Sequence, residues 1–231
     1  MKFSPVPAGT YPPPDFAGYR STALRGPKHA PVRIGRDALH GAVPAFTDKI
    51  LVDNDADLTA HGNGGAPLGE RIIVTGRVSD EDGKPIKHSL VEIWQCNACG
   101  RYEHKVDQHD APNDANFPGF GKTFTDANGI YKFITIKPGA YPWGNHPNAW
   151  RPAHIHFSLF GNVVAQRLIT QMYFPNDPLF NFDPIFNSVP DERARLRMVS
   201  EFKLEHTVDS WALGYEYNIV LRGRDATPFG L

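Results

Sequence analysis

Arg71-Ile-Ile-Val-Thr-Gly-Arg-Val78, Ser89-Leu-Val-Glu-Ile-Trp-Gln95 and Ile130-Tyr-Lys-Phe-Ile-Thr-Ile136 are rich in β-branched and large apolar side chains. Such residues suit a pleated, half-buried surface better than a helix. In the third stretch Tyr131, Phe133 and Thr135 alternate against Ile130, Ile134 and Ile136 around Lys132, the period of a strand with one face inward. Asp82-Gly83 and Pro85 separate the first two stretches, and Asn128-Gly129 is a tight hairpin signal before the third. Outward from these, further strands are expected at 154–160, 168–174 and 215–221. One helix is expected over 191–203, opened by Pro190 and Asp191, with Leu196, Val199 and Phe202 near helical spacing. Many short strands between Gly, Pro and Asn turns predict a mainly β protein, an antiparallel β-sandwich with one or two short helices.

The first part of the chain reads differently. Residues 1–69 carry Pro12-Pro13-Pro14, scattered Gly and Pro, and little alternation, ending in a glycine cluster at 62–69. That composition favours extended backbone and rarely forms a core alone. An extended N-terminal arm that packs on the core and on a partner subunit is expected there, and a sandwich domain over 70–231. With 231 residues, 41% of them hydrophobic and 21% charged, the chain has ordinary globular composition. Twenty-four basic side chains against 25 acidic ones argue against nucleic acid or an anionic membrane as the main partner, because both need a strong basic face. No apolar stretch suits a signal peptide or a membrane helix of roughly 20 residues, so a cytoplasmic location is expected.

Only Cys96 and Cys99 are available, which rules out a disulfide framework. As half a zinc site the C-x-x-C pair lacks ligands, since His104 and His109 lie too close for finger spacing. Two reduced thiols in a loop is the simpler reading. The β-rich stretch itself resembles small prealbumin-like binding modules, which carry no chemistry.

The segment Tyr141-Pro-Trp-Gly-Asn-His-Pro-Asn-Ala-Trp-Arg-Pro-Ala-His-Ile-His-Phe157 changes that reading. His154 and His156 are two apart, so on a strand both imidazoles project from one face while Ile155 enters the other. An H-x-H pair is a natural way to offer two neutral nitrogens to one metal. No Asp or Glu stands at the spacing that two-His-one-carboxylate sites use; two residues before His154 is Pro152. Tyrosine is then the plausible anionic donor, with Tyr141 after the Lys137-Pro138-Gly139 turn and Tyr102 just beyond the strand carrying Trp94. Phenolate is a hard oxygen donor with an ordinary pKa near 10, so a strong Lewis acid such as Fe(III) is the metal that ionises it readily.

G-R-Y-E-H-K at 100–105, T-I-K-P-G-A-Y-P-W at 135–143 and W-R-P-A-H-I-H-F at 150–157, in this order, resemble the intradiol aromatic-ring dioxygenases. The resemblance is strongest to the β chains of the protocatechuate 3,4-dioxygenase branch. It runs from about Tyr19 to Arg224, taking in G-E-R-I-I-V at 69–74 and I-T-Q-M-Y-F at 169–174. It implies one non-haem Fe(III) per chain, with Tyr102 and His156 as equatorial ligands, Tyr141 and His154 as axial ones, and a bound hydroxide. It also implies that Arg151 lies beside the ring to be cleaved, with Gln171 as its polar neighbour. Trp94, Trp143 and Ile185 match pocket-lining residues, and Tyr19 a tyrosine near the substrate carboxylate. Tyr141 would act as ligand and as general base in turn. The implied reaction inserts both atoms of O2 into a small aromatic diol, protocatechuate, to give 3-carboxy-cis,cis-muconate in aromatic catabolism. A homologous α subunit is implied as partner, sharing the active site in a higher-order symmetric hetero-oligomer. Glu103 departs from the family pattern, which more often has arginine there.

Three rivals stand beside this reading. A catechol or hydroxyquinol enzyme of the same family would carry a helical N-terminal region, unlike this Pro-rich one. A non-catalytic prealbumin-like module would be colourless and free of iron. A zinc hydrolase is the most distant.

Overall fold

β1 (Arg71–Ser79) is the seam of the molecule, with Ile72, Val74 and Val78 fully buried. The computed structural model describes residues 5–30, 32, 48–62, 64–160 and 167–229. On one side β1 runs antiparallel to β4 (Ile130–Ile136), from Arg71 opposite Ile136 to Arg77 opposite Ile130. On its other side it pairs in parallel with β10 (Leu213–Glu216) and β11 (Ile219–Val220), and β9 (Glu201–Phe202) closes the edge beyond β10. A second sheet has the order β3 (Phe120–Phe124), β2 (Leu90–Trp94), β7 (His154–Phe160), β8 (Arg167–Tyr173), antiparallel throughout.

The alternation read from the sequence packs these sheets face to face. Ile72, Val74, Tyr131 and Phe133 of the first sheet meet Val91, Ile93, Ile155, Phe157 and Leu159 of the second in one core. Each such side chain, fully buried, contributes roughly 1.5–3 kcal/mol. Leu58, in a 3-10 turn at Leu58–Ala60, enters the same core, so residues before Glu70 help to fill it. Further upstream, Tyr11 stacks on Phe229 with ring centroids 4.7 Å apart, and Asp191 N–H donates to the Gly9 carbonyl at 3.0 Å. The opposite face of β8 is covered by a smaller cluster in which Tyr173 meets Phe186, Val189, Ala194 and Met198.

The structure is a mainly β sandwich and differs from the sequence reading in several particulars. It is not wholly antiparallel, because β10 and β11 return to β1 from more than 130 residues away and no hairpin dictates their direction. Asn128-Gly129 forms a tight turn, with Gly129 N–H donating to the Asp126 carbonyl at 3.0 Å, but it is no hairpin: β3 and β4 lie in different sheets. The strand expected over 215–221 is broken at Tyr217-Asn218, where Tyr217 N–H still donates to the Thr75 carbonyl and its own carbonyl lies against Gly76. A Cβ at position 76 would overlap the Tyr217 carbonyl oxygen. The helix expected over 191–203 is real only as α3 (Glu192–Leu196); α1 (Thr22–Arg25) and α2 (Pro184–Asn187) are shorter still. Asp191 caps α3 by accepting from Arg193 N–H, but Tyr173 then captures the chain, donating to the Met198 carbonyl and accepting from Ser200 N–H, both at 2.8 Å. Among the described residues no helix is long and apolar enough to cross a membrane.

Candidate active site

His154 and His156 stand on the face of β7 turned away from the core, as their spacing requires; His154 lies opposite Tyr173 of β8 and His156 opposite Gln171. Tyr141 is brought to them by a two-stranded ladder of β5 (Tyr141–Pro142) and β6 (Trp150–Arg151), in which Tyr141 pairs with Arg151. That ladder is absent from the sequence reading, because two-residue strands carry no periodicity. Tyr102 arrives from the loop between β2 and β3. Buried Asn97 organises that loop: its Oδ1 accepts from the N–H groups of Cys99 and Arg101, and its Nδ2 donates to the Pro112 carbonyl. Gly100, at φ +78°, passes so close to the Ala140 carbonyl that no side chain fits, and Tyr102 N–H is fixed by the Asp107 carboxylate at 2.8 Å. The loop is thereby tied to the residues just before Tyr141.

The four rings close a circuit. Centroid separations are 5.5 Å for Tyr102–Tyr141, 5.4 Å for Tyr141–His154, 4.9 Å for His154–His156 and 6.5 Å for Tyr102–His156. His154 is fully buried, and the other three are partly accessible. Tyr102 Oη is nevertheless sealed from solvent and has no hydrogen-bond partner, and the same holds for Trp143 Nε1. A buried polar atom left unmatched costs about 1–3 kcal/mol, so an orphan hydroxyl on one ring of this circuit marks a place for something else.

Protonation follows from burial and one cation. Burial, then the Arg151 charge, push His154 well below the ordinary imidazole range, and the same causes take His156 to about 3. Both rings are therefore neutral. His154 Nδ1 faces the Pro152 carbonyl at 2.7 Å; a proton there leaves the lone pair on Nε2, which lies 3.3 Å from Tyr141 Oη. Burial raises both phenols, Tyr102 well above its ordinary value with Tyr141 adding to the effect, while Arg151 partly offsets the rise at Tyr141. Among the described residues no three His, Cys, Asp or Glu side chains gather closely enough to hold a metal. The donors that do converge are two phenols and two neutral imidazoles, a set suited to a hard trivalent ion.

Arg151 is buried against the circuit, its Nη1 3.0 Å from His154 Nε2 and 3.4 Å from Tyr141 Oη, with Gln171 Oε1 accepting from Nη2 at 2.5 Å. Trp94 stacks flat on His156, centroids 4.9 Å apart. Trp143 lies 5.7 Å under the Arg151 guanidinium and meets the edge of Tyr19 at 5.1 Å. A cleft of about 450 Å³ opens over Tyr102, Tyr141 and Trp143, and a second of about 520 Å³ lies between Tyr19 and Trp143. Ile185 is buried in α2 and is linked to the cluster through Asp183, which accepts from its N–H at 3.1 Å. Cys96 is buried, with burial raising its thiol to about 12, and Cys99 is exposed; both are free thiols. Glu103 is exposed. The sequence reading missed Asp183 and Tyr173, which hold Arg151 from behind. Only the Q-M-Y spacing of 171–173, two residues on one strand face, hinted at Tyr173.

Known proteins share sequence and fold with this chain. The family model described as "Dioxygenase" matches residues 42–223, and that described as "Protocatechuate 3,4-dioxygenase beta subunit N terminal" matches residues 5–35. The chain is 59% identical over 211 residues to a protocatechuate 3,4-dioxygenase beta chain of Burkholderia cepacia, covering 91% of this chain and 89% of that one. It is 28% identical over 163 residues to a protocatechuate 3,4-dioxygenase alpha chain of Pseudomonas putida, covering 70% and 76%. Among solved structures, 3-chlorocatechol 1,2-dioxygenase of Rhodococcus opacus superposes with a TM-score of 0.55 at 25% identity, over 73% of this chain and 65% of that one. With a sandwich of this topology and matches over most of its length, the chain belongs to the intradiol ring-cleavage dioxygenases.

Proposed function

We propose that the chain is the catalytic β chain of a protocatechuate 3,4-dioxygenase, opening the ring between its two hydroxylated carbons and placing both atoms of O2 in 3-carboxy-cis,cis-muconate. The circuit of Tyr102, Tyr141, His154 and His156 around the orphan Tyr102 hydroxyl carries this reading, supported by the 59% identity to a β chain. These four residues would hold one iron(III), which as a Lewis acid draws electron density from a bound catechol.

The protein's own groups do the rest. Two phenolates would offset two of the ion's three positive charges and so lower the cost of burying it. Tyr141 Oη, 3.3 Å from His154 Nε2 and 3.4 Å from Arg151 Nη1, would take the proton that one substrate hydroxyl gives up. Arg151 brings a fixed positive charge to the same spot through Nη1, where negative charge grows on the ring under attack. Trp143 lines the cleft over Tyr102 and Tyr141 and would help to exclude water, Trp94 backs the His156 ring, and Tyr19, against Trp143 in the neighbouring cleft, would meet the carboxylate.

A homologous α chain would complete the pocket, within a larger symmetric assembly and with the first 69 residues reaching across to it. The naming of relatives as β and α chains supports this. We place the enzyme in the cytoplasm. The deciding experiment is the visible spectrum of the co-expressed protein before and after anaerobic addition of protocatechuate. A tyrosinate-to-iron(III) band that shifts on binding is expected; colourless, iron-free protein after iron-replete expression would sink the proposal.

A further inference from the structure

Every N–H of the Arg151 guanidinium is spoken for. Nη1 faces His154 Nε2 and Tyr141 Oη, as described above. Nη2 donates to Asp183 Oδ2 at 3.0 Å, to Tyr173 Oη at 3.0 Å and to Gln171 Oε1, while Nε faces Asp183 Oδ1 at 3.4 Å. Asp183 is completely buried and Arg151 is 3% exposed, so this is an ion pair out of reach of solvent. Its geometry is a fork on a carboxylate, which fixes the plane of the guanidinium as well as its place. Tyr173 Oη lies 3.2 Å from Asp183 Oδ2 and 2.9 Å from Gln171 Oε1, bracing the carboxylate in turn. The same carboxylate caps α2 through Ile185 N–H.

We infer that Asp183 is a positioning residue for the ring-cleavage step, acting through Arg151, with Tyr173 as its brace. By holding Nε and Nη2, the carboxylate leaves Nη1 as the one arm turned to the reacting centre. Without that charge only uncharged partners, Gln171 and Tyr173, hold Nη2, and the guanidinium can turn over the Trp143 ring or further toward Tyr141. Because Asp183 also sets the start of α2, one carboxylate fixes both the Arg151 charge and the Ile185 side of the site. The inference rests on the proposed dioxygenase reading.

The test is a cycle of variants in the iron-loaded complex with its α chain. Asp183→Asn keeps size and one acceptor oxygen but removes the charge. It should lower kcat for protocatechuate roughly 10- to 100-fold, since an active-site group displaced by about 1 Å costs that much. KM, the anaerobic binding constant, the iron content and the visible band should stay near wild type. A crystal structure of the variant should show Nη1 displaced from its place beside His154. In an Arg151→Gln background the same change should cost almost nothing further. Tyr173→Phe, which deletes one hydroxyl, should give a smaller loss of the same kind and serves if Asp183→Asn does not fold. Equal losses in both backgrounds, or unchanged kcat in both single variants, would overturn the inference. Absence of iron or of protocatechuate turnover in the wild type would instead defeat the functional reading, whatever Asp183 does.

Discussion

Tyr102 shows how a single residue can be wrong for the fold and right for the site. Its buried hydroxyl has no partner, so removing it should not destabilise the metal-free protein. Tyr102→Phe is expected to leave urea stability unchanged or to raise it by up to about 1 kcal/mol, while iron content falls sharply. A clear loss of stability without loss of iron would show the hydroxyl to be structural. Arg151→Lys keeps the charge but cannot fork onto Asp183; kcat is expected to drop by about 100-fold with iron retained, and unchanged turnover would refute its role. Tyr141→Phe should bind iron more weakly, alter the visible band and slow substrate binding, all readable by stopped-flow absorbance. Tyr102, Tyr141, His154 and His156 were legible because they sit in long motifs and because H-x-H on a strand fixes two rings on one face. Asp183 was not. It lies 32 residues beyond Arg151 in another element, and buried ion pairs leave no mark in local spacing.

Elements were legible where their pattern was their own and illegible where a neighbour imposed it. β4 and β7 appear with the bounds read from their alternation. By contrast α3 has the residues for a longer helix, yet backbone hydrogen bonds with Tyr173 redirect the chain after five. β3 went unrecognised because Phe120–Phe124 includes Gly121, which lets the Asp55 carbonyl and Leu58 pack against it. Glycines that admit a neighbouring backbone are where element-scale predictions are sharpest. Gly76→Ala should cost about 3 kcal/mol or more, read from urea midpoints, because both β1 and the Tyr217 backbone would have to move. A shift under 0.5 kcal/mol would show that contact to be compliant.

At the scale of the whole molecule, neutral imidazoles in the interior link stability to pH. His154 is held well below its ordinary value and His156 near 3, whereas both titrate near 6.5 in an unfolded chain. The unfolded state therefore binds protons that the folded state refuses. Stability of the metal-free protein should fall as pH drops below about 6.5, with His154 contributing up to about 1.4 kcal/mol per pH unit. His156, being partly accessible, contributes less. Urea unfolding of wild type and His154→Gln between pH 7 and 5 checks this: the variant should show the shallower slope, and equal slopes would count against it. The sandwich was legible from strand count and alternation, but not the partners of each strand, since β1 finds its parallel neighbours at the far end of the chain. That pairing also sets a timetable for synthesis. A nascent chain that has left the ribosome only as far as residue 205 has a first sheet with one flank of β1 bare, and its circuit of four rings rests on a sandwich not yet closed. Maturation thus waits for the final strands to emerge, and protection against protease should arise late and in one step.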